Sequence, residues 1–317
     1  MNFVDRLDPE TRAAIEALAP KHWRNLPAAR TTFLESMAAM AAQSPRVTGV
    51  RSEDFRTPGP AGAPEVMVRV YMPEDRPAVL PGLFWIHGGG YIVGNVGMDD
   101  VRMRHLALKV GCVVVSVEYR LAPEHPYPAP IEDCYTGLAW MHAHAAALGV
   151  DPRRIAVGGA SAGGGLAAAL ALLARDRAQI PLAFQLLIYP MLDDRNATPA
   201  SHAIVDPRVW NRDANLFGWE CYLGGRAGGD DVPCHAAAGR ATDLAGLPPA
   251  FVAVGGLDLF VDEDIDYARR LNQAGVATEL VVYPGAVHGF DGYAPTARIS
   301  RRFQSDLRAA LGRALHG

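Results

Sequence analysis

Residues 158–164 read Gly-Gly-Ala-Ser-Ala-Gly-Gly, and their flanks restrict what they can be. A short apolar run, Ile155-Ala156-Val157, comes before them, and an Ala/Leu-rich stretch, 165–175, comes after. Apolar strand, sharp glycine turn, serine and helix together are the setting of a nucleophile elbow. A serine on so tight a turn is forced into strained backbone angles, tolerable only between very small neighbours. Gly159, Ala160, Ala162 and Gly163 are all small. Such a turn lifts the Ser161 hydroxyl above the strand ends and aims the Ala162 N–H at the same space. In a chain with 32 glycines the pattern alone is equally compatible with a plain strand-to-helix turn. Gly163, Gly165 and Ala168 also fit G-x-G-x-x-A, but that match begins inside the predicted helix. The next strand, 184–189, does not end in a ribose-binding acid, so the dinucleotide reading fails.

The chain has 317 residues, enough to bury about three quarters of its unfolded surface in a core that needs no staples. Half of it is apolar and a fifth charged, as in an ordinary soluble enzyme. A formal charge of −4 argues against nucleic acid as a partner. No apolar run is long enough to span a membrane, and the acidic, polar residues 1–10 do not resemble a signal peptide. Cys112, Cys134, Cys221 and Cys234 lack C-x-x-C spacing and read as buried free thiols in a cytoplasmic protein.

Residues 1–45 look helical and separate, with Asp8 as a cap and Pro9 at the first helical position. Phe33, Met37 and Met40 recur there at helical spacing, a stripe that more often means packing than pocket. Pro45 and the polar stretch to Pro64 form a boundary. Strands and helices then alternate: strands at 65–72, 83–86 and 112–118, a helix bearing Ile131, Cys134, Leu138, Met141 and Leu148 that ends at Gly149, then the strand before Ser161. After the strand at 184–189, residues 193–240 are polar, carry Gly-Gly pairs and read as an insertion. A strand at 251–254, a helix at 262–273, a strand at 279–283 and a final helix with Ile299, Phe303, Leu307 and Leu311 complete the pattern. The expected fold is an α/β sandwich with a mostly parallel sheet, whose ligands gather at the carboxyl ends of the strands.

A serine hydroxyl needs a base, and the base an orienting acid. Among ten histidines, His288 alone follows a strand by a short turn late in the chain, whereas His142 and His144 point apart on a helix and suggest no metal pair. Asp258 follows the strand 251–254 through Gly255-Gly256-Leu257, giving the order Ser161, Asp258, His288. Asp262 is the runner-up; it, Glu263 and Asp264 open a predicted helix, where acids are favoured by the helix dipole. His87-Gly88-Gly89-Gly90-Tyr91 supplies backbone donors for an oxyanion, with Gly88, Gly89 and Ala162 as the three prongs and His87 as a loop-fixing residue.

These motifs resemble the hormone-sensitive-lipase-like family of α/β-hydrolases, bacterial carboxylesterases in particular. The likeness rests on His87-Gly88-Gly89-Gly90, the run from Tyr119 to Pro126, the elbow at Ser161 and His288-Gly289-Phe290, and spans roughly residues 65–317. It implies an α/β-hydrolase fold with a helical cap, hydrolysis of short- to medium-chain carboxylic esters, no cofactor and no metal. It also makes the Tyr119–Pro126 run structural. Two departures stand out: Ala160 occupies a position where the family commonly has an acid, and Asp258-Leu259-Phe260 replaces Asp-Pro-Leu, with Phe260 available as apolar wall. A cap of residues 1–45 with a second contribution at about 195–240 is expected to roof the catalytic domain, 46–317. Tyr91, Trp23, Phe33, Met37, Trp210, Phe217 and Trp219 are candidate wall residues, each equally compatible with plain packing. The same triad serves amidases, lactonases and deacetylases, and a non-catalytic receptor on this fold is a remoter alternative. The expected partner is a small ester, with no nucleic acid and no membrane anchor; a homodimer is compatible with the family.

Overall fold

The apolar runs become the middle of one mixed sheet in the computed structural model, which describes residues 3–43, 46–60 and 62–317. Pro45, read above as a boundary, lies outside the described residues, as do Met1 and Asn2 at the amino end. Eight strands run along the chain: β1 (Val50–Thr57), β2 (Val66–Pro73), β3 (Leu80–Ile86), β4 (Val113–Glu118), β5 (Val150–Ala160), β6 (Phe184–Ile188), β7 (Ala250–Gly255) and β8 (Thr278–Tyr283). Their order across the sheet is β1-β2-β4-β3-β5-β6-β7-β8. β1 and β2 pair antiparallel, as do β2 and β4, and every later pair is parallel. β3 and β7 are buried along their whole length, as strands covered on both faces must be.

Helices interleave with the strands: α1 (Arg12–Glu16), α2 (Leu26–Gln43), α3 (Asp100–Leu106), α4 (Ala129–Ala143), α5 (Ala145–Leu148), α6 (Ala162–Arg177), α7 (Pro199–Ala203), α8 (Arg212–Leu223), α9 (Val261–Gln273), α10 (Phe290–Tyr293) and α11 (Arg298–His316). The helix expected to run to Gly149 breaks at His144 into α4 and α5, and Gly149 closes the second piece in a left-handed conformation. α6 begins directly at the elbow, and its alanines and glycines let it lie flat on the sheet with almost every residue buried.

Four expectations need correction. β1 falls in the polar stretch read as a boundary; it is an edge strand, and its charged side chains suit a largely exposed position. The N-terminal segment is not separate, because Leu7, Ile15, Trp23 and Leu26 belong to the common core. Asp8 does not cap the first helix, which starts at Arg12 rather than Pro9; its carboxylate accepts from the N–H groups of Glu10 and Thr11 in the preceding turn, while its own N–H donates to the carbonyl of Gly285 in the turn before His288. The insertion at 193–240 also enters the core: α8 buries Trp219, Tyr222 and Leu223, which an apolar count over so polar a stretch does not reveal. Cys112, Cys134 and Cys221 are buried and Cys234 is half-buried, all unpaired.

Candidate active site

Ser161 stands at the end of β5 with φ 59° and ψ −122°, a conformation few residues other than glycine adopt. Backbone bonds on both sides impose it. The Ser161 N–H donates to Ile188 at the end of β6, and the Ser161 carbonyl accepts from Gly165 and Met191. Gly163 packs so closely beneath the turn that a methyl group there would overlap the carbonyl oxygens of Ile86 and His87. The smallness of the residues around the serine is thus a demand of backbone-to-backbone packing, the reason inferred for the motif from sequence.

The other members arrive from two adjacent loops. Asp258 follows β7 and is wholly buried; His288 follows β8 and is 8% exposed. The Leu257 N–H donates to Ala286, tying the two loops together. His288 Nδ1 lies 2.7 Å from Asp258 Oδ2. The carboxylate accepts there, so the ring proton sits on Nδ1 and Nε2 is left as an acceptor. The Ser161 hydroxyl lies 2.8 Å from that Nε2. Asp258 Oδ1 accepts from the Phe260 N–H at 3.1 Å, which fixes the carboxylate plane. Serine, base and acid are therefore joined in one hydrogen-bonded line, buried from end to end.

Asp262, the rival acid, faces elsewhere: its carboxylate accepts from the Ala200 N–H at 2.7 Å, on the insertion. Glu263 accepts from Leu192 and Asp193. Asp264 is fully buried, and neither of its carboxylate oxygens has a hydrogen-bond partner among the described residues.

The His87–Gly90 loop lies across the serine. A methyl group on Gly88 would stand 3.4 Å from the Ser161 Cβ, which places this backbone against the nucleophile. Gly89 adopts φ +118°, a conformation that excludes a side chain. His87 is wholly buried, stacked on Tyr119 at 4.2 Å, with Nδ1 2.8 Å from the Gly88 carbonyl. Burial lowers its pKa to about 4, so the ring is neutral and braces the loop as a neutral donor. The Tyr119 hydroxyl donates to the His87 carbonyl, and Arg120 pairs with buried Asp133 at 2.8 Å. These bonds give the Tyr119–Pro126 run its bracing contacts.

The candidate wall residues divide into two groups. The Trp210 ring lies directly against Gly90, Trp23 meets Trp210 edge-on at 5.1 Å, and Phe33 lies 6.3 Å from Trp23. Met37 is half-buried on the same helix as Phe33, and Met40 reaches Gly292. Arg30 of α2 fastens this helix by donating to the Ile92 and Ala122 carbonyls and pairing with Glu124. Tyr91 and Trp219, by contrast, are packed into the core as a cluster with Tyr222, and the Tyr91 hydroxyl donates to Met191. Much of their apolar area is taken up in packing against one another. Phe217 is half-buried under the Arg24 guanidinium. Sequence reasoning missed Tyr189 and the contact of Phe260 with the base: both rings meet the His288 imidazole edge-on, at 4.7 and 5.1 Å.

A buried Ser–His–Asp line on an elbow, at the carboxyl ends of the strands of a mostly parallel sheet, defines a serine hydrolase of α/β-hydrolase architecture. Residues 83–292 match the family described as alpha/beta hydrolase fold. The chain is 41% identical to carboxylesterase NlhH of Mycobacterium tuberculosis over 265 residues, 82% of each chain. It is 38% identical to esterase LipI of the same species over 270 residues, 84% of this chain and 83% of the relative. Among solved structures, a bacterial heroin esterase superposes with a TM-score of 0.96 at 43% identity over the full length of both chains. Esterase LipW from Mycobacterium marinum superposes at 0.88 with 38% identity, over 99% of this chain and 98% of that one. The chain belongs to the α/β-hydrolase fold family, in its hormone-sensitive-lipase-like carboxylesterase branch.

Proposed function

We propose that the protein hydrolyses short- to medium-chain carboxylic esters through an acyl-enzyme, and that three backbone donors and a two-part roof complete its site. The observation that carries this reading is the single line from Asp258 through His288 to the Ser161 hydroxyl, with both contacts at 2.7–2.8 Å. Ser161 attacks the ester carbonyl as His288 Nε2 takes its proton. Asp258 holds the ring in the tautomer that leaves Nε2 free and stabilises the imidazolium that forms. The N–H groups of Gly88, Gly89 and Ala162 receive the oxyanion, and the closeness of Gly88 to Ser161 supports this role. His288 then protonates the departing alcohol, and a water repeats the sequence on the acyl-enzyme.

The roof in this reading is the N-terminal segment together with the insertion, whose contacts join them: Lys21 N–H to the Pro207 carbonyl, Trp23 to Trp210, and Arg24 to Asp213. Trp23, Phe33, Met37 and Trp210 form its apolar lining. No helix among the described residues is long and apolar enough to cross a membrane. Four unpaired cysteines support a reducing, cytoplasmic setting. Among the described residues β8 pairs only with β7 at the sheet edge, which leaves a strand edge for a second copy in a homodimer.

Ser161→Ala should reduce turnover of p-nitrophenyl butyrate by at least about 10⁴-fold, and a fluorophosphonate should label Ser161 in the unaltered chain. Retention of a tenth of the activity, or no adduct at Ser161, overturns the reading. A panel of amides and lactones alongside the esters separates the sister acyl hydrolases, which share this triad.

A further inference from the structure

Behind His288 lies a second set of buried polar groups that proton transfer to and from Ser161 does not use. Asp258 fixes one end of the imidazole, but a ring held at Nδ1 alone can still pivot about that bond. Two aromatic edges flank it. Phe260 is held by packing and by its backbone. Tyr189, the residue after β6, is held by its hydroxyl, which donates to Asp291 Oδ1 at 3.0 Å. Asp291 stands three residues beyond His288 on α10, so this bond ties the histidine's own loop to the strand beside the nucleophile.

The bond is itself anchored from two other helices. Asp291 Oδ2 accepts from Arg102 Nη2 of α3 at 2.6 Å and from Gln304 Nε2 of α11 at 3.2 Å. Arg102 Nε also lies 3.9 Å from Asp99, whose carboxylate accepts from the Trp85 indole N–H of β3 at 2.9 Å. Asp99 and Asp291 are buried, and Arg102 is mostly covered. Burying one cation between two carboxylates is a costly way to fill space, and removing one partner leaves an uncompensated charge. Tyr189 adds an independent sign: its φ of +33° is strained for a residue with a side chain, and such strain persists where surroundings over-determine it. Both the charge pair and the strained backbone converge on the placement of one phenol ring against one imidazole.

We propose that Tyr189, clamped by Asp291 and Arg102, is a positioning residue that fixes the rotation of the His288 ring toward the Ser161 hydroxyl. It touches neither substrate nor reacting atoms; it acts through the base. The proposal rests on the esterase reading for its turnover assay, whereas phosphonylation of Ser161 tests it without any ester.

The decisive variant is Tyr189→Phe, which keeps the ring edge and removes only the hydroxyl. Its kcat for p-nitrophenyl butyrate should fall about 10- to 100-fold, the scale of a small misplacement of a catalytic group, with KM within two-fold and the melting temperature within a few degrees. The rate of fluorophosphonate labelling should fall by the same factor. Asp291→Ala should lower both rates similarly, and the double variant should lose no more than the larger single loss, because both changes break one bond. An unchanged kcat with a lowered melting temperature makes the cluster purely structural and overturns the proposal. Losses that multiply in the double variant, or a KM that rises in step with the fall in kcat, overturn it as well. If Asp291→Ala does not fold, Tyr189→Phe alone decides through its kcat and labelling rate. A wild-type protein that labels at Ser161 but hydrolyses no ester refutes the function and leaves this test intact.

Discussion

The floor of the site and the roof proposed for it are built by different means. On the floor, backbone meets backbone: the elbow rests on the carbonyls of Ile86 and His87, and its strained serine is held by hydrogen bonds from β6 and α6. In the roof, side chain meets side chain: Trp23 on Trp210, Phe33 on Trp23, Arg30 on Glu124. Much of α2 is left open, with Leu34 46% exposed and Phe33 only half-buried. Backbone contacts cannot adjust when a residue changes, whereas side chains can take other rotamers. The chemistry should therefore be brittle to substitution on the floor, and selectivity tunable in the roof without loss of the reaction.

The largest effect expected of this contrast is from Gly163→Ala. The added methyl meets two carbonyl oxygens that belong to β3 and the His87–Gly90 loop, neither free to move independently. Overpacking of this kind should cost about 3 kcal/mol of stability and displace the Ser161 hydroxyl, with kcat reduced about 100-fold. Urea unfolding and turnover measured on the same preparation check it. A variant with near-normal kcat and stability breaks the comparison at its strongest point.

Phe33→Ala should be milder. A half-buried aromatic in an open helix gives up about 1–2 kcal/mol, less than a core Phe. If Phe33 lines the pocket, KM for p-nitrophenyl hexanoate should rise a few-fold while kcat stays within two-fold, since the lost contact is present equally in ground and transition states. An equal fall in kcat would place α2 in the chemistry and erase the distinction between floor and roof.

The same contrast explains what could be read from the chain. Ser161, Asp258 and His288 were legible because each follows a strand through a turn of small residues, and turn chemistry is local. The seven strands with apolar runs were legible for the same reason. β1 was not, since Arg51, Ser52, Glu53 and Asp54 in its middle carry the polarity of an exposed edge. The burial of α8 was hidden because a helix with one apolar face looks polar in a stretch containing Gly-Gly pairs. Least legible was the clamp behind His288: Arg102 and Asp291 lie 189 residues apart, and the fold brings α3 and α10 close enough for them to bond. The N-terminal segment misled for a related reason. Its contact with the His288 turn is a backbone bond from Asp8 to Gly285, which leaves no mark in hydrophobic periodicity.

The smallest effect concerns a buried residue, on the helix that follows Asp258, that performs no visible chemistry. Asp264 of α9 is fully buried with both carboxylate oxygens unpartnered among the described residues, and burial, with Glu263 and Asp258 nearby, holds its pKa well above the ordinary carboxyl range. A raised folded-state pKa contributes stability that is present below the unfolded value and is lost as pH rises toward the folded one. In the unfolded chain the group ionises first, so Asp264 weighs against folding at neutral and alkaline pH. Asp264→Asn keeps the shape and removes the ionisation. It should raise the free energy of unfolding at pH 8 by about 1–2 kcal/mol and change it little at pH 4, with kcat unaltered. An equal change at both pH values would mean that the carboxyl is partnered or ionised in the fold. A fall in kcat would instead make Asp264 part of the support of Asp258.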